Sequence, residues 1–278
     1  MARILIAGCG YVGTALAKRL TDSGHEVWAL RRDVSGLPDN VQGVSADLTD
    51  PQTLASLPGS LDFVFYTAGA DRFSEDAYRD AYVTGPTHLT EALDALDIHP
   101  QRLIFTSSTG VYHQDGGAWV DESAPTKPRN FSGKLVREGE RLLLAGAHPA
   151  IVVRLGGIYG PGRTRLIDRV RNGEARCAPG APRYINLIHR DDCAGVLAHL
   201  ITLPKPATCY LAVDCEPADR NEIYRWVAGR LGLPEPPGGE AETEQRRTSN
   251  KRCSNARLLD SGYEFLYPTF REGYAGLL

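Results

Sequence analysis

Through the first 155 residues, short apolar runs alternate with longer stretches in which apolar positions recur every three or four residues. The short runs predict strands near Arg3–Ala7, Glu26–Arg31, Val41–Ser45, Phe63–Thr67, Arg102–Ser107 and Ala150–Leu155. The longer stretches predict helices near Tyr11–Ser23, Gln52–Leu57, Glu75–Leu96 and Gly133–Gly146, the last with Leu135, Leu142 and Leu143 spaced for a buried face. Strands joined by helical crossovers pair in parallel, so the fold class is α/β with a doubly wound parallel sheet. After Leu155 the pattern breaks at GGIYGPGR. A helix near Arg165–Asn172, a turn-rich stretch to Pro182, a helix near Arg190–Leu203, a strand near Cys209–Val213 and a helix near Asn221–Leu231 follow. The Pro/Gly/Glu-rich LPEPPGGEAETE, residues 233–244, buries little and is expected to be an exposed loop, with order returning from Lys251. This division predicts a sheet domain from 1–155 and 183–214, with 156–182 and 215–278 forming a smaller lobe.

Composition narrows the partners. The 278 residues are 42% hydrophobic and 23% charged, as expected of a globular protein with a large core. A net charge of −3 without a long run of one sign excludes the basic stripe that sequence-independent nucleic-acid binding needs. The opening MARILIAGCGYVG is too short to span a membrane and has no cleavage site, so it reads as a first strand in a cytoplasmic protein. The six cysteines are scattered, with no C-x-x-C pair and no metal-ligand spacing, so no metal and no disulfide framework is expected. Small-molecule partners are favoured, with neither nucleic acid nor membrane.

The first strand runs into Gly8, Cys9, Gly10, Tyr11, Val12 and Gly13, a G-x-G-x-x-G sequence that opens a helix. Glycines are needed there because the backbone turns sharply and approaches a pyrophosphate, which then sits on the free N–H groups of the helix start. The sheet is therefore read as a Rossmann-type NAD(P)-binding domain. NAD-preferring sites usually end the second strand with Asp or Glu, which holds the ribose 2′-hydroxyl. Here that strand ends in Leu30, Arg31 and Arg32, and the guanidinium forks of the two arginines suit a 2′-phosphate, so NADP(H) is favoured over NAD(H). The competing reading makes both arginines solvated surface residues. Asp47 and Leu48 are placed to meet the adenine edge, and the small residues of Thr67, Ala68 and Gly69 let a dinucleotide lie across the strand ends.

Several further segments carry a resemblance: Phe105–Tyr112 (FTSSTGVY), Asp121-Glu122 with Pro125, Arg154–Gly162 (RLGGIYGPG) and Ile188–Asp192 (IHRDD). With the glycine loop, they resemble the extended short-chain dehydrogenase/reductases, the family of NAD-dependent epimerases and dehydratases acting largely on nucleotide sugars. The resemblance covers nearly the whole chain, although Ala7 stands where the family has its first glycine. It implies a triad in which Tyr is the general acid/base, Lys four residues later lowers its pKa, and Ser orients the substrate oxygen. Ser108 and Lys134 match the Ser and the Lys. Asn130 stands at the Tyr position, and an amide cannot exchange a proton as a phenol does. Tyr82 occupies a helix position that the family fills with Asn; its phenol either replaces part of the lost function or packs between helices.

The resemblance also implies that Lys134 binds the nicotinamide ribose and that Gly156, Gly157 and Ile158 wrap the nicotinamide end. Tyr112, Arg163, Asn186 and His189 then face the substrate, Arg163 toward a phosphate. Surface solvation of Arg163 and helix capping by His189 are the alternatives. Self-association through the helices of 75–96 and 133–146 is implied too, but the residues do not separate a homodimer from a monomer. Two functions compete: an epimerase/dehydratase-like NADP(H) oxidoreductase that lacks the usual Tyr, and a catalytically silent NADP(H)-binding redox sensor. An unrelated dehydrogenase sharing only the glycine loop ranks last.

Overall fold

The computed structural model describes residues 1–239 and 249–278. The expected loop over 233–244 falls partly outside them; within them 233–239 is largely exposed, with Gly238 bridged to Cys177.

Seven strands form one parallel sheet: β1 (Arg3–Ala7), β2 (Glu26–Arg31), β3 (Val41–Ser45), β4 (Phe63–Tyr66), β5 (Arg102–Ser108), β7 (Ala150–Leu155) and β11 (Cys209–Ala212). Their order is β11-β7-β5-β4-β1-β2-β3, so the winding reverses between β1 and β4. An open α/β sheet leaves a crevice at that reversal, beyond the carboxyl ends of the strands. The strands are buried on both faces because alternate side chains point opposite ways. Ile4 and Ile6 of β1 join one cluster with Leu16 and Leu20 of α1 (Tyr11–Asp22). Leu5 and Ala7 join the other, with Leu89 and Leu93.

On that second face the single helix expected over Glu75–Leu96 is interrupted. It runs as α2 (Glu75–Arg79), a π turn over Asp80–Thr84, and α3 (Gly85–Ala95). Pro86 has no N–H to give the Tyr82 carbonyl, and the Tyr66 hydroxyl takes the Ala81 carbonyl at 2.7 Å, so the ordinary register fails locally. The next helix, α4 (Phe131–Ala145), starts two residues before the expected Gly133 because the Asn130 side chain accepts the Gly133 N–H at 2.8 Å and caps it. The segment expected as a helix over Gln52–Leu57 is a 3-10 turn, Pro51–Ser56, capped by Asp50.

Beyond the strand ends a third cluster gathers Tyr159, Ile167, Val170, Tyr224, Val227, Phe270 and Tyr274. It is built from α5 (Arg165–Arg171), α7 (Arg220–Leu231) and α9 (Phe270–Ala275). α6 (Arg190–Leu200) and α8 (Ala256–Asp260) return to the main sheet, where Leu197 and Leu258 share the cluster of Ile4 and Ile6. Three short pairings stitch the upper part together: β6 (Ala118–Val120) with β13 (Lys251–Cys253), β8 (Gly157–Tyr159) with β10 (Leu187–His189), and β9 (Tyr184–Ile185) with β12 (Ala218–Asp219). No helix among the described residues is long and apolar enough to cross a membrane.

Candidate functional site

A cleft of about 950 Å³ opens at the reversal between β1 and β4. Its floor is the glycine loop. Gly8 has φ +86°, and a Cβ there would overlap the backbone of Ala68. Gly8 and Cys9 donate their N–H groups to the Leu30 carbonyl at 2.9 and 3.2 Å, and the Thr67 hydroxyl donates to the Gly8 carbonyl at 2.9 Å. The loop is thus pinned between β2 and β4. A Cβ at Gly13 would lie 2.8 Å from the Thr67 Oγ1, so glycine there lets α1 close on the sheet.

α1 begins at Gly10 with no side-chain cap and no acidic residue in its first turn. Its first N–H groups are orphaned and carry the positive end of the helix dipole. A Cβ at Gly10 would meet nothing but the Gly8 carbonyl, at 3.9 Å, so the approach is open. The residues therefore fit a dinucleotide diphosphate.

Arg31 and Arg32 line the next part of the cleft, with Asp47 and Leu48. Arg31 reaches back to the Cys9 carbonyl at 3.5 Å. The Asp47 carboxylate accepts from the Thr49 N–H at 2.9 Å and its hydroxyl at 2.8 Å, and these bonds hold it below the usual carboxylate range. Across the cleft, Tyr11 donates its hydroxyl to the Pro161 carbonyl at 2.9 Å, while the Arg163 and Arg190 guanidinium groups stack on its ring at 4.2 and 5.3 Å. This contact ties the glycine loop to the Gly160–Gly162 turn.

Sixteen of the sequence-designated residues line the cleft: Gly8, Gly10, Tyr11, Val12, Arg31, Arg32, Asp47, Leu48, Thr67, Ala68, Gly69, Tyr82, Ser108, Gly156, Ile158 and Arg163. Others are placed elsewhere, and four of them have structural employment. Asn130 is the cap of α4. Tyr112 is buried, donating to the Asp121 carbonyl and accepting from Arg154 Nη1, both at 2.7 Å, in place of facing a substrate. The Asn186 amide is spent on β13, donating to the Lys251 carbonyl at 3.0 Å and accepting from the Cys253 N–H at 2.7 Å. His189 caps α6 by accepting from the Asp191 N–H at 3.2 Å, with its ring between Tyr159 and Tyr267 and its pKa lowered by burial.

Lys134 is placed on the outer face of α4. The buried positions of α4 are Gly133, Leu135, Val136, Gly139, Glu140 and Leu143. Lys134, Glu138 and Arg141 form the exposed stripe of the same helix and line a shallow outer depression with Arg137. Lys134 is absent from the lining of the cleft, and Val136 faces inward instead. Tyr82 does line it, packing on Tyr78 at 5.5 Å and Phe105 at 6.3 Å, and burial first, then Tyr78, pushes its phenol up to about 12. A phenol so shifted gives up its proton less readily than a free one. Ser108 accepts the Gly110 N–H at 3.0 Å.

Sequence reasoning missed two constructions beside the cleft. One is an aromatic group of Phe73, Tyr78, Tyr82 and Phe131, with successive centroids 4.9–5.6 Å apart. The other lies under the strand ends: Glu140 accepts from Ser107 at 2.6 Å, from Arg154 Nε and Nη2 at 2.8 and 2.9 Å, and from Arg137 at 3.2 Å. Burial opposes the Arg154 charge, but the Glu140 carboxylate outweighs it and holds the guanidinium above its ordinary value. The signal for this lock was a Glu on the apolar stripe of α4, five residues before its end, and an Arg inside an otherwise apolar strand.

Comparison with known proteins agrees with this geometry. The profile of the NAD dependent epimerase/dehydratase family matches residues 4–205. Protein YeeZ of Escherichia coli (strain K12) is 30% identical, over 96% of this chain and 97% of its own. The 3-diazoavenalumate denitrifying reductase of a Streptomyces species is 28% identical, over 98% of both chains. A solved structure from Methylobacillus flagellatus, described as a provisional NAD-dependent epimerase/dehydratase, is 38% identical and superposes with a TM-score of 0.82 over 99% of this chain and 97% of its own. With a Rossmann sheet, a glycine-loop cleft and a matching profile over most of its length, the chain belongs to the NAD dependent epimerase/dehydratase family.

Proposed function

We propose that this protein is an NADP(H)-dependent reductase of a small-molecule acceptor that works without the family's Tyr–Lys pair. The observation that carries the reading is the pair Arg31 and Arg32 at the end of β2, both lining the cleft where the adenosine ribose of a dinucleotide would lie. Two guanidinium groups attract a 2′-phosphate dianion, and the carboxylate that follows them in the cleft, Asp33, accepts the Ser35 N–H at 2.9 Å. The uncapped start of α1 would hold the diphosphate, Asp47 and Leu48 the adenine edge, and Gly156 and Ile158 the nicotinamide end. A reduced nicotinamide bound there supplies hydride.

The acceptor end supports reduction more than sugar epimerisation. Tyr78 and Tyr82 form part of its wall with aromatic rings packed behind them, a surface suited to apolar or aromatic groups. Two of the relatives are reductases by name, the Streptomyces protein above and the 2-alkyl-3-oxoalkanoate reductase of Stenotrophomonas maltophilia. A binding-only role as redox sensor is the second reading, favoured by Asn130 acting as a cap and Lys134 lying outside the cleft.

Titration with NADPH and NADH, read by energy transfer from tryptophan to the reduced nicotinamide, tests the proposal. Charge-assisted hydrogen bonds contribute roughly 1.5–3 kcal/mol each, so replacing both arginines with alanine should weaken NADPH binding by about 100-fold or more and leave NADH binding nearly unchanged. Equal loss for both dinucleotides would remove the arginine reading. NADPH binding without oxidation across a broad carbonyl panel would select the sensor.

A further inference from the structure

The start of α1 does not by itself balance the charge of the ligand it fits. A dinucleotide diphosphate carries two negative charges, whereas a helix start presents the equivalent of roughly half a positive one. The first turn of α1, Tyr11 to Thr14, contains no basic residue that would add to it. A further cation stands across the cleft. Among the described residues, Arg163 is the one cationic side chain from beyond Leu155 that lines it.

The backbone places that side chain with care for α1. The Arg163 N–H donates to the Gly160 carbonyl at 2.9 Å, and Gly160 and Gly162 take the φ values, +145° and +76°, that close the turn. This turn is docked on the helix start. Tyr11, the first residue of α1, donates its hydroxyl to the Pro161 carbonyl at 2.9 Å, and a Cβ at Gly160 would lie 2.9 Å from that hydroxyl. The Arg163 guanidinium then lies on the Tyr11 ring, 4.2 Å from its centroid. A ring face orients a guanidinium without using its N–H donors, and none of those donors has a hydrogen-bond or ion-pair partner among the described residues. Arg190 stacks on the same ring at 5.3 Å, but its Nε donates to the Asp191 carboxylate at 2.9 Å and it does not line the cleft. Arg163 is thus held against the residue that opens α1, with its donors unspent and its side chain in the cleft.

We propose that Arg163 completes the diphosphate site from the smaller lobe, its guanidinium closing on the phosphate oxygens while the α1 N–H groups hold them from the sheet side. The inference rests on the dinucleotide reading of the cleft and is independent of the choice between NADP(H) and NAD(H). It adds one side chain to a site otherwise made of backbone. It also makes the Gly160–Arg163 turn part of that site, so that a bound dinucleotide fastens the two lobes together.

The test is calorimetry on the full chain with ADP-ribose, which carries the diphosphate but neither the nicotinamide nor the 2′-phosphate, and with NADH and NADPH. Arg163→Met keeps an apolar stem over the Tyr11 ring and removes the charge. It should raise the Kd for all three ligands alike by about tenfold and leave the urea midpoint near wild type, whereas loss of Arg31 and Arg32 should act on NADPH alone. Added salt should weaken ADP-ribose binding less in Arg163→Met than in wild type. Arg190→Met removes the other cation from the Tyr11 ring and should leave ADP-ribose affinity unchanged. Should Arg163→Met not fold, Arg163→Gln is read in its place. ADP-ribose affinity untouched by loss of Arg163 overturns the inference and returns this side chain to solvent or to a substrate anion; equal weakening by Arg190→Met overturns it too, by making the packing of Tyr11 the cause. Wild type that binds neither ADP-ribose nor a dinucleotide sinks the cofactor reading and this inference with it, while dinucleotide binding that is insensitive to Arg163 sinks this inference alone.

Discussion

At its diphosphate end the cleft is made of backbone: Gly8 in a conformation that L side chains rarely adopt, N–H groups pinned to the Leu30 carbonyl, and an uncapped helix start. At its acceptor end it is made of side chains, with Tyr78, Tyr82 and Ser108 on the wall and the Glu140–Arg154 pair beneath. A backbone site tolerates almost any sequence around it provided the glycines remain. A side-chain site can be re-equipped residue by residue while the scaffold stays fixed. The two ends of this cleft accordingly stand at different distances from the family pattern.

The sharpest way to break the contrast is a single methyl group at the backbone end. Gly8→Ala forces a Cβ into the Ala68 backbone at φ +86° and should weaken NADPH binding by at least 100-fold in the tryptophan energy-transfer titration. Gly24→Ala is the matched control, since Gly24 also has positive φ (+80°) but an added Cβ there meets nothing within 4 Å. It should cost about 1 kcal/mol in urea unfolding through backbone strain and leave NADPH affinity intact. Equal binding loss in both variants would mean that the loop's fit to the dinucleotide is not what Gly8 protects.

The next effect falls under the acceptor end. Glu140→Ala leaves Arg154 buried without its carboxylate and strands Ser107 as well. Removing one member of a buried ion pair costs roughly 3–5 kcal/mol, and urea unfolding should show a loss of that size. The glycine loop is not part of this network, so NADPH affinity in the folded fraction should change little. A comparable loss of affinity would show that the two ends are coupled through β5 and β7.

These constructions were legible to different degrees. The β1 strand, the glycine loop and the parallel character of the sheet follow from local signals: apolar runs of four to six residues, glycines at fixed offsets, and helical stretches between strands. Arg31 and Arg32 were readable as cleft residues for the same reason, because they sit at a strand end whose direction is fixed by the sheet. The acceptor end was harder to read. Residues of α4 were placed by their offset from a family motif, whereas their orientation is set by which stripe the helix buries, and that stripe runs through Val136, Gly139, Glu140 and Leu143. The π turn was hidden because Pro86 alone does not announce that Tyr66 will take the Ala81 carbonyl. The pairing of β13 with β6 could not be seen at all, since the two strands lie more than 130 residues apart.

The smallest effects test the helix orientation directly. Lys134 is exposed and should be replaceable by Met with no change in NADPH affinity, turnover or urea midpoint beyond about 0.5 kcal/mol, as for other surface substitutions. Asn130→Ala removes the side chain that accepts the Gly133 N–H, and the loss of a helix cap should cost about 1 kcal/mol in urea unfolding. Its NADPH affinity should stay unchanged, because Asn130 does not line the cleft. The two variants together discriminate more finely than either alone. If α4 turned its other face inward, Lys134→Met would reduce dinucleotide affinity through loss of a ribose contact and Asn130→Ala would alter the acceptor end. A tenfold fall in NADPH affinity for Lys134→Met would therefore place the family's lysine back in the cleft, and with it the case for proton transfer through α4.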